Sequence, residues 1–150
     1  RRRPSPLAAT TDAKASALYP NVARALREAK SAGFDNAVVL DPDGDAVEFE
    51  SATLFFVAND GSVVTQAANG TFLAGITRAR VIALLAEAGL TVQQRAVEPA
   101  ELERAREIFS TGNYGKVMPC TRYGKRDLPI GLVATQARAL YMKFAEQCRV

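Results

Sequence analysis

Apolar residues recur along this chain at two different spacings. From Tyr19 onward, Val22, Ala25, Leu26 and Ala29 return at three- and four-residue intervals, the signature of one helical face. Pro20 suits the first turn of that helix and Gly33 its stop. Val81, Leu84 and Leu85 predict an amphipathic helix over 77–87 that ends at Gly89, and Val133, Ala137, Leu140, Tyr141 and Phe144 predict a closing helix over 132–147. Other apolar runs are too short for helices and are bounded by turn residues. Residues 37–40 form one such strand, closed by the Asp-Pro-Asp-Gly turn at 41–44. Residues 54–57 and 62–65 flank Asn-Asp-Gly and read as a β-hairpin, while 108–111 and 116–118 flank a turn with two glycines. Residues 90–97 read as a further strand, and 99–104 as a short helix opened by proline. Residues 1–13 carry two prolines and no periodicity, as expected of an extended lead-in or linker. The sum is an α/β chain of mixed α+β character, with short strands and at least three helices.

Composition narrows the chemistry. The 150 residues are 48% hydrophobic, enough for one domain with a real core. Histidine is absent, which removes Ser-His-Asp and Cys-His catalysis and His-ligated zinc. Cys120 and Cys148 are too few for a zinc cage and too far apart for a CxxC motif, so no metal is expected and free thiols in a reducing cytoplasm are. The net charge is +3, but removing Arg1, Arg2 and Arg3 from the 19 Lys and Arg leaves 16, equal to the 16 Asp and Glu. A nucleic-acid partner needs basic charge clustered on a folded face, and none is expected here. No apolar run reaches the length of a membrane span, and no signal peptide is visible, so no membrane partner is expected either. The first residue is not methionine, which suggests a chain that starts partway through a longer protein.

The remaining chemistry rests on lysine, tyrosine, carboxylates, hydroxyls and backbone amides. Lys14 sits among Ala13, Ala15, Ser16, Ala17 and Leu18, with Tyr19 following. Small apolar neighbours suit a Schiff-base lysine, because desolvation favours the neutral amine. A solvated surface lysine is the ordinary alternative. Leu73-Ala-Gly75-Ile76-Thr77-Arg78 places glycine and a hydroxyl at the start of a helix. Thr77 is therefore either an anion donor or simply the helix N-cap. The turn Gly112-Asn113-Tyr114-Gly115 offers amides to an anion or is a plain hairpin turn, and Glu48 is either a buried ion-pair partner or a strand surface residue.

Five segments together resemble the fold-type-IV (class IV) pyridoxal-phosphate-dependent aminotransferases, most closely the branched-chain amino acid aminotransferases. They are Lys-Ala-Ser-Ala-Leu-Tyr at 14–19, the stretch from Gly33 through Asp41 with Gly44 and Glu48, and Leu-Ala-Gly-Ile-Thr-Arg at 73–78. Ser-Thr-Gly-Asn-Tyr-Gly-Lys-Val-Met-Pro at 110–119 and the ending from Arg126 through Tyr141 complete the set. They occur in one order with matching spacing and cover nearly the whole chain from Lys14. The resemblance implies the large C-terminal domain of that fold over 14–150, a short-stranded mixed sheet or barrel with flanking helices. It also implies that the smaller N-terminal domain is missing, and with it an arginine for the cofactor phosphate.

The same resemblance assigns roles. It implies pyridoxal 5'-phosphate as cofactor, with Lys14 as the Schiff-base and proton-transfer lysine and Tyr19 bonded to the phenolic oxygen. Glu48 would pair with the pyridine nitrogen and Leu73 would pack on the ring. Gly75, Ile76 and Thr77 would form the phosphate block, with Asn113 standing where many relatives have threonine. Tyr114 and Gly115 would lie by the substrate carboxylate. The implied activity is transamination between a branched-chain L-amino acid and 2-oxoglutarate, in a cytoplasmic homodimer or higher homo-oligomer of amino-acid biosynthesis. A D-amino acid transaminase or an aminodeoxychorismate lyase of the same fold is the alternative, as is a catalytically incomplete fragment. The sequence departs from the family at Thr53, where asparagine is usual, and at Gln66 and Arg106. Glu50, two residues from Glu48, leaves open which carboxylate meets the ring.

Overall fold

The computed structural model describes residues 1–148, so Arg149 and Val150, the end of the expected domain, lie outside the described residues. Its centre is the strand β3 (Ala52–Val57), flanked by β2 (Ala46–Phe49), β4 (Val63–Gln66) and β6 (Glu107–Gly112). β6 pairs with β3 along one whole edge, from Thr53 opposite Thr111 to Val57 opposite Glu107. The other edge forks. Its first half pairs with β2 and its second half with β4. β1 (Val38–Leu40) extends the sheet beyond β2 and β7 (Lys116–Pro119) beyond β6, both antiparallel, while β5 (Val92–Arg95) runs parallel to β4. One parallel pair among antiparallel ones makes the sheet mixed.

The apolar run of β3 follows from burial on both faces. Leu54 and Phe56 point into one cluster with Phe49, Val64, Leu102 and Ile108. Phe55 and Val57 point the opposite way, into a cluster with Phe109, Val117 and two helices, α2 (Ile76–Glu87) and α4 (Leu132–Gln147). Phe55 and Phe109 stack at 5.2 Å between ring centroids, with planes 10° apart. A large apolar side chain fully buried in this way contributes about 1.5–3 kcal/mol.

The helices depart from the sequence expectations mainly at their ends. α1 (Tyr19–Ser31) stops where Gly33 takes a φ of +79°, letting the Gly33 and Phe34 amides bond back to Lys30 O and Ala29 O. α2 begins at Ile76 rather than at 77, because Gly75, with ψ 140°, is the N-cap. The helix expected over 99–104 is the single turn α3 (Pro99–Leu102), held by reciprocal Glu98 and Glu101 caps, and the strand expected over 90–97 shortens to β5. α4 has the expected bounds. Two short strands went unforeseen, β8 (Arg122–Tyr123) and β9 (Arg126–Asp127), which form a separate hairpin. Residues 1–13 hold no helix or strand run, yet they are not loose. Arg2 bridges Leu40 in parallel, and backbone bonds join Arg3 N to Leu40 O and Leu40 N to Arg1 O. No helix among the described residues is long and apolar enough to cross a membrane.

Candidate active site

Register places a polar row across the face of the sheet that carries α2. Glu48 on β2 lies opposite Thr53 on β3, and Thr53 lies opposite Thr111 on β6. Partners in an antiparallel sheet share a face, and residues two apart on a strand do as well. The same face therefore continues into Phe55 and Phe109 under the body of α2, and turns polar beneath its first turn. There a cavity of about 670 Å³ opens, lined by Lys14, Tyr19, Glu48, Leu73, Gly75, Ile76, Thr77 and Asn113. Its size suits a small-molecule site, for which roughly 300–1,000 Å³ is usual.

Eight of the ten expected site residues thus meet in one cavity. Tyr114 and Gly115 do not line it; Tyr114 is fully exposed at the turn after Asn113. Thr53, Thr111, Arg3 and Arg78 line it without having been expected there, and Glu50, the rival to Glu48 in the sequence, lines it as well.

Lys14 precedes a 3-10 turn (Ser16–Leu18) that leads straight into α1, so Lys14 and Tyr19 approach the cavity from the same side. Lys14 is exposed and Tyr19 half-exposed. The desolvation expected from the small neighbours of Lys14 is therefore not provided within this chain: those neighbours are mostly exposed themselves.

Glu48 is buried and ion-paired with Arg3, which also donates to Thr71 O at 2.6 Å and Thr11 O at 3.2 Å. Burial pushes the Glu48 carboxyl up to about 7; the Arg3 guanidinium pulls it down and Glu50 pushes it further up. Glu50 is also raised, first by burial. Both carboxylates line the cavity, but Glu48 alone is held by a guanidinium. Arg3 belongs to the run read from sequence as terminal excess charge, and nothing in its local pattern signals a partner 45 residues away.

The start of α2 is uncapped. Gly75 has no side chain to offer, the first helical bond runs from Ala79 N to Gly75 O, and no side chain bonds the cap. Thr77 therefore does not act as the N-cap, and the amides of Ile76, Thr77 and Arg78 are left without intrahelical partners, facing the positive end of the helix dipole. Arg78 is buried against the same turn. It donates to Gln66 O at 2.7 Å and Gln94 Oε1 at 3.0 Å, with its guanidinium 5.9 Å from the Phe72 ring centroid. Among the described residues it has no carboxylate partner, and its Nε makes no hydrogen bond. Asn113 accepts from Lys116 Nζ at 3.2 Å, leaving its side-chain NH₂ free to donate. A compact ligand with an anionic end fits this donor set: amides, hydroxyls and a buried cation at the start of α2, with carboxylates and a lysine lining the same cavity.

The family model for amino-transferase class IV matches residues 1–123. The mitochondrial branched-chain-amino-acid aminotransferase 1 of Arabidopsis thaliana is 39% identical over 107 residues, 71% of this chain and 28% of its own length. A probable branched-chain-amino-acid aminotransferase of Synechocystis is 35% identical over 109 residues, 73% of this chain and 35% of its own. Among solved structures, an aminotransferase from Brucella abortus bound to the cofactor PLP superposes with a TM-score of 0.94 at 48% identity, over 97% of this chain and 51% of that one. A branched-chain aminotransferase from Thermoproteus uzoniensis with norvaline gives 0.91 at 27% identity, over 99% and 50%. The chain spans about half the length of these structures, and about a third of the two relatives.

Proposed function

The chain belongs to the class IV aminotransferase family, and on that premise we propose that it is the lysine-bearing, cofactor-binding part of a pyridoxal-phosphate-dependent branched-chain amino acid aminotransferase. The observation that carries this reading is the convergence of Lys14, Tyr19, Glu48 and the uncapped start of α2 on one cavity. The reaction proposed is transfer of an amino group between a branched-chain L-amino acid and 2-oxoglutarate. The names of the relatives support the substrate class.

Pyridoxal phosphate, when bound, supplies the electron sink that takes up the pair released as the substrate Cα loses its proton. The residues of the chain divide the remaining work. Lys14 Nζ would hold the cofactor, and would accept the proton from the substrate Cα. Tyr19 donates from its hydroxyl to the phenolic oxygen of the ring. The Glu48 carboxylate accepts from the pyridine N–H, and Arg3 favours its ionised form against the cost of burial. Leu73 covers a ring face. The amides of Ile76 and Thr77, released by the turn at Gly75, donate to the phosphate together with the Thr77 hydroxyl and the Asn113 side-chain amide. Tyr114 and Gly115, outside the cavity lining, are assigned to the substrate carboxylate from the family resemblance.

The site proposed is half of a whole. Lys14 is exposed and Ile76 is 91% exposed at the mouth of the cavity, as expected where another part of the protein closes over them. The remaining domain and a homodimeric partner are the proposed cover. Two free cysteines fit a cytoplasmic, reducing setting. Activity is tested by following glutamate formation from leucine, isoleucine or valine with 2-oxoglutarate. Turnover of D-amino acids, or pyruvate release from aminodeoxychorismate in its place, would transfer the assignment to another branch of the family.

A further inference from the structure

Thr53, the middle member of the polar row, is buried without serving the fold. It is 6% exposed, yet its hydroxyl makes no hydrogen bond among the described residues. Other buried threonines do: Thr65 donates to Leu54 O at 2.7 Å and Thr71 to Asn69 Oδ1 at 2.6 Å. A Cβ placed on Gly75 would stand 3.5 Å from Thr53 Oγ1, so this hydroxyl lies against the N-cap of α2. That helix runs for 12 residues and carries no side-chain cap. Thr53 lines the same cavity as Ile76 and Thr77. Its partner Thr111, 1% exposed, also has a hydroxyl without a hydrogen bond. Thr111 Oγ1 is shut away from solvent, whereas Thr53 Oγ1 keeps access to the cavity, where a ligand can pair it.

We propose that Thr53 is a further ligand of the cofactor phosphate, donating from the sheet side while Ile76 and Thr77 donate from the helix side. The inference rests on the cofactor reading above. An anion seated at the uncapped turn would contact Thr53 on the strand directly beneath it, and a hydroxyl rotor turns to donate without backbone movement.

The test compares pyridoxal phosphate with pyridoxal, which lacks the phosphate, by equilibrium dialysis against the full chain, its Thr53→Val variant and its Thr53→Ser variant. Thr53→Val should bind pyridoxal phosphate about tenfold more weakly and pyridoxal unchanged, with Thr53→Ser restoring most of the loss. The ligand-free melting temperature of Thr53→Val should hold or rise, since no hydrogen bond is lost. Equal binding of pyridoxal phosphate by wild type and Thr53→Val overturns the inference and leaves the cofactor reading standing. Equal weakening toward both compounds, or a lower ligand-free melting temperature, overturns it by giving the hydroxyl a structural role. Failure of the wild type to bind either compound overturns both.

Discussion

Arg3 and Glu48 form an ion pair in which each side chain is about 10% exposed. The pair ties the first residues of the chain to the second strand, and a backbone carbonyl at Thr71 and another at Thr11 hold the guanidinium in place. Burial and attraction oppose each other at Glu48, and burial wins, leaving the carboxyl near 7.

That balance fixes the sign of a pH effect. Between the ordinary carboxyl value of 4.5 and about 7, the folded protein holds a proton on Glu48 that the unfolded chain has released. The stability contributed by this group is therefore complete below pH 4.5 and falls as pH rises through 7. The full loss is on the order of 3 kcal/mol. Urea unfolding of the cofactor-free protein at several pH values should show this slope, and Glu48→Gln should flatten it. A slope unchanged by that substitution would contradict the placement of the carboxyl.

Glu107 gives α4 its N-terminal cap from another strand, accepting from Val133 N at 3.2 Å and Ala134 N at 3.0 Å. Glu107→Ala should cost about 1–2 kcal/mol of unfolding free energy. A Cβ on Gly131 would fall 1.7 Å from Glu107 Cδ, so Gly131→Ala should displace the same carboxylate. The double variant should then be little worse than the worse single one, and additive losses would show that the two act separately.

The stacked pair Phe55 and Phe109 sits directly below α2 and α4. Phe55→Ala should lower stability by about 3–5 kcal/mol, read from denaturant midpoints, because rigid helices above the ring leave the cavity unfilled. A loss below about 1 kcal/mol would mean that the face is loosely packed.

Thr77→Ala separates the two readings that sequence left open. Since α2 starts at Ile76 with Gly75 as its cap, the substitution should leave the ligand-free melting temperature unchanged. Pyridoxal phosphate should bind about tenfold more weakly, from loss of one hydrogen bond to a charged group. A clear drop in ligand-free stability would restore Thr77 as a cap.

Local pattern made much of this molecule legible. The stripe through Val133, Ala137 and Phe144 fixed α4 at its observed bounds, and the run through Phe55 marked β3, because periodicity reports burial directly. The segments around Lys14 and Thr77 announced themselves through residue type and a helix start. What stayed hidden depends on register. Thr53, Glu48 and Thr111 share one face only because β3 pairs with β2 on one edge and with β6 on the other, and a single strand carries no mark of its partners. Arg3 was unreadable for the same reason: three arginines beside two prolines look solvated until the fold brings Glu48 to them. Arg78 was visible as a residue but not as a buried cation, since its surroundings come from Gln66, Gln94 and Phe72 on other elements.

The central claim is that Lys14 is the residue to which the cofactor attaches. Addition of pyridoxal phosphate, absorbance scanning, borohydride reduction and peptide mapping test it most directly. The account predicts a new visible band, abolished by reduction, with the reduced adduct on Lys14 and absent from Lys14→Ala. An adduct on Lys30, Lys116 or another lysine, or a band of equal strength in Lys14→Ala, would contradict it.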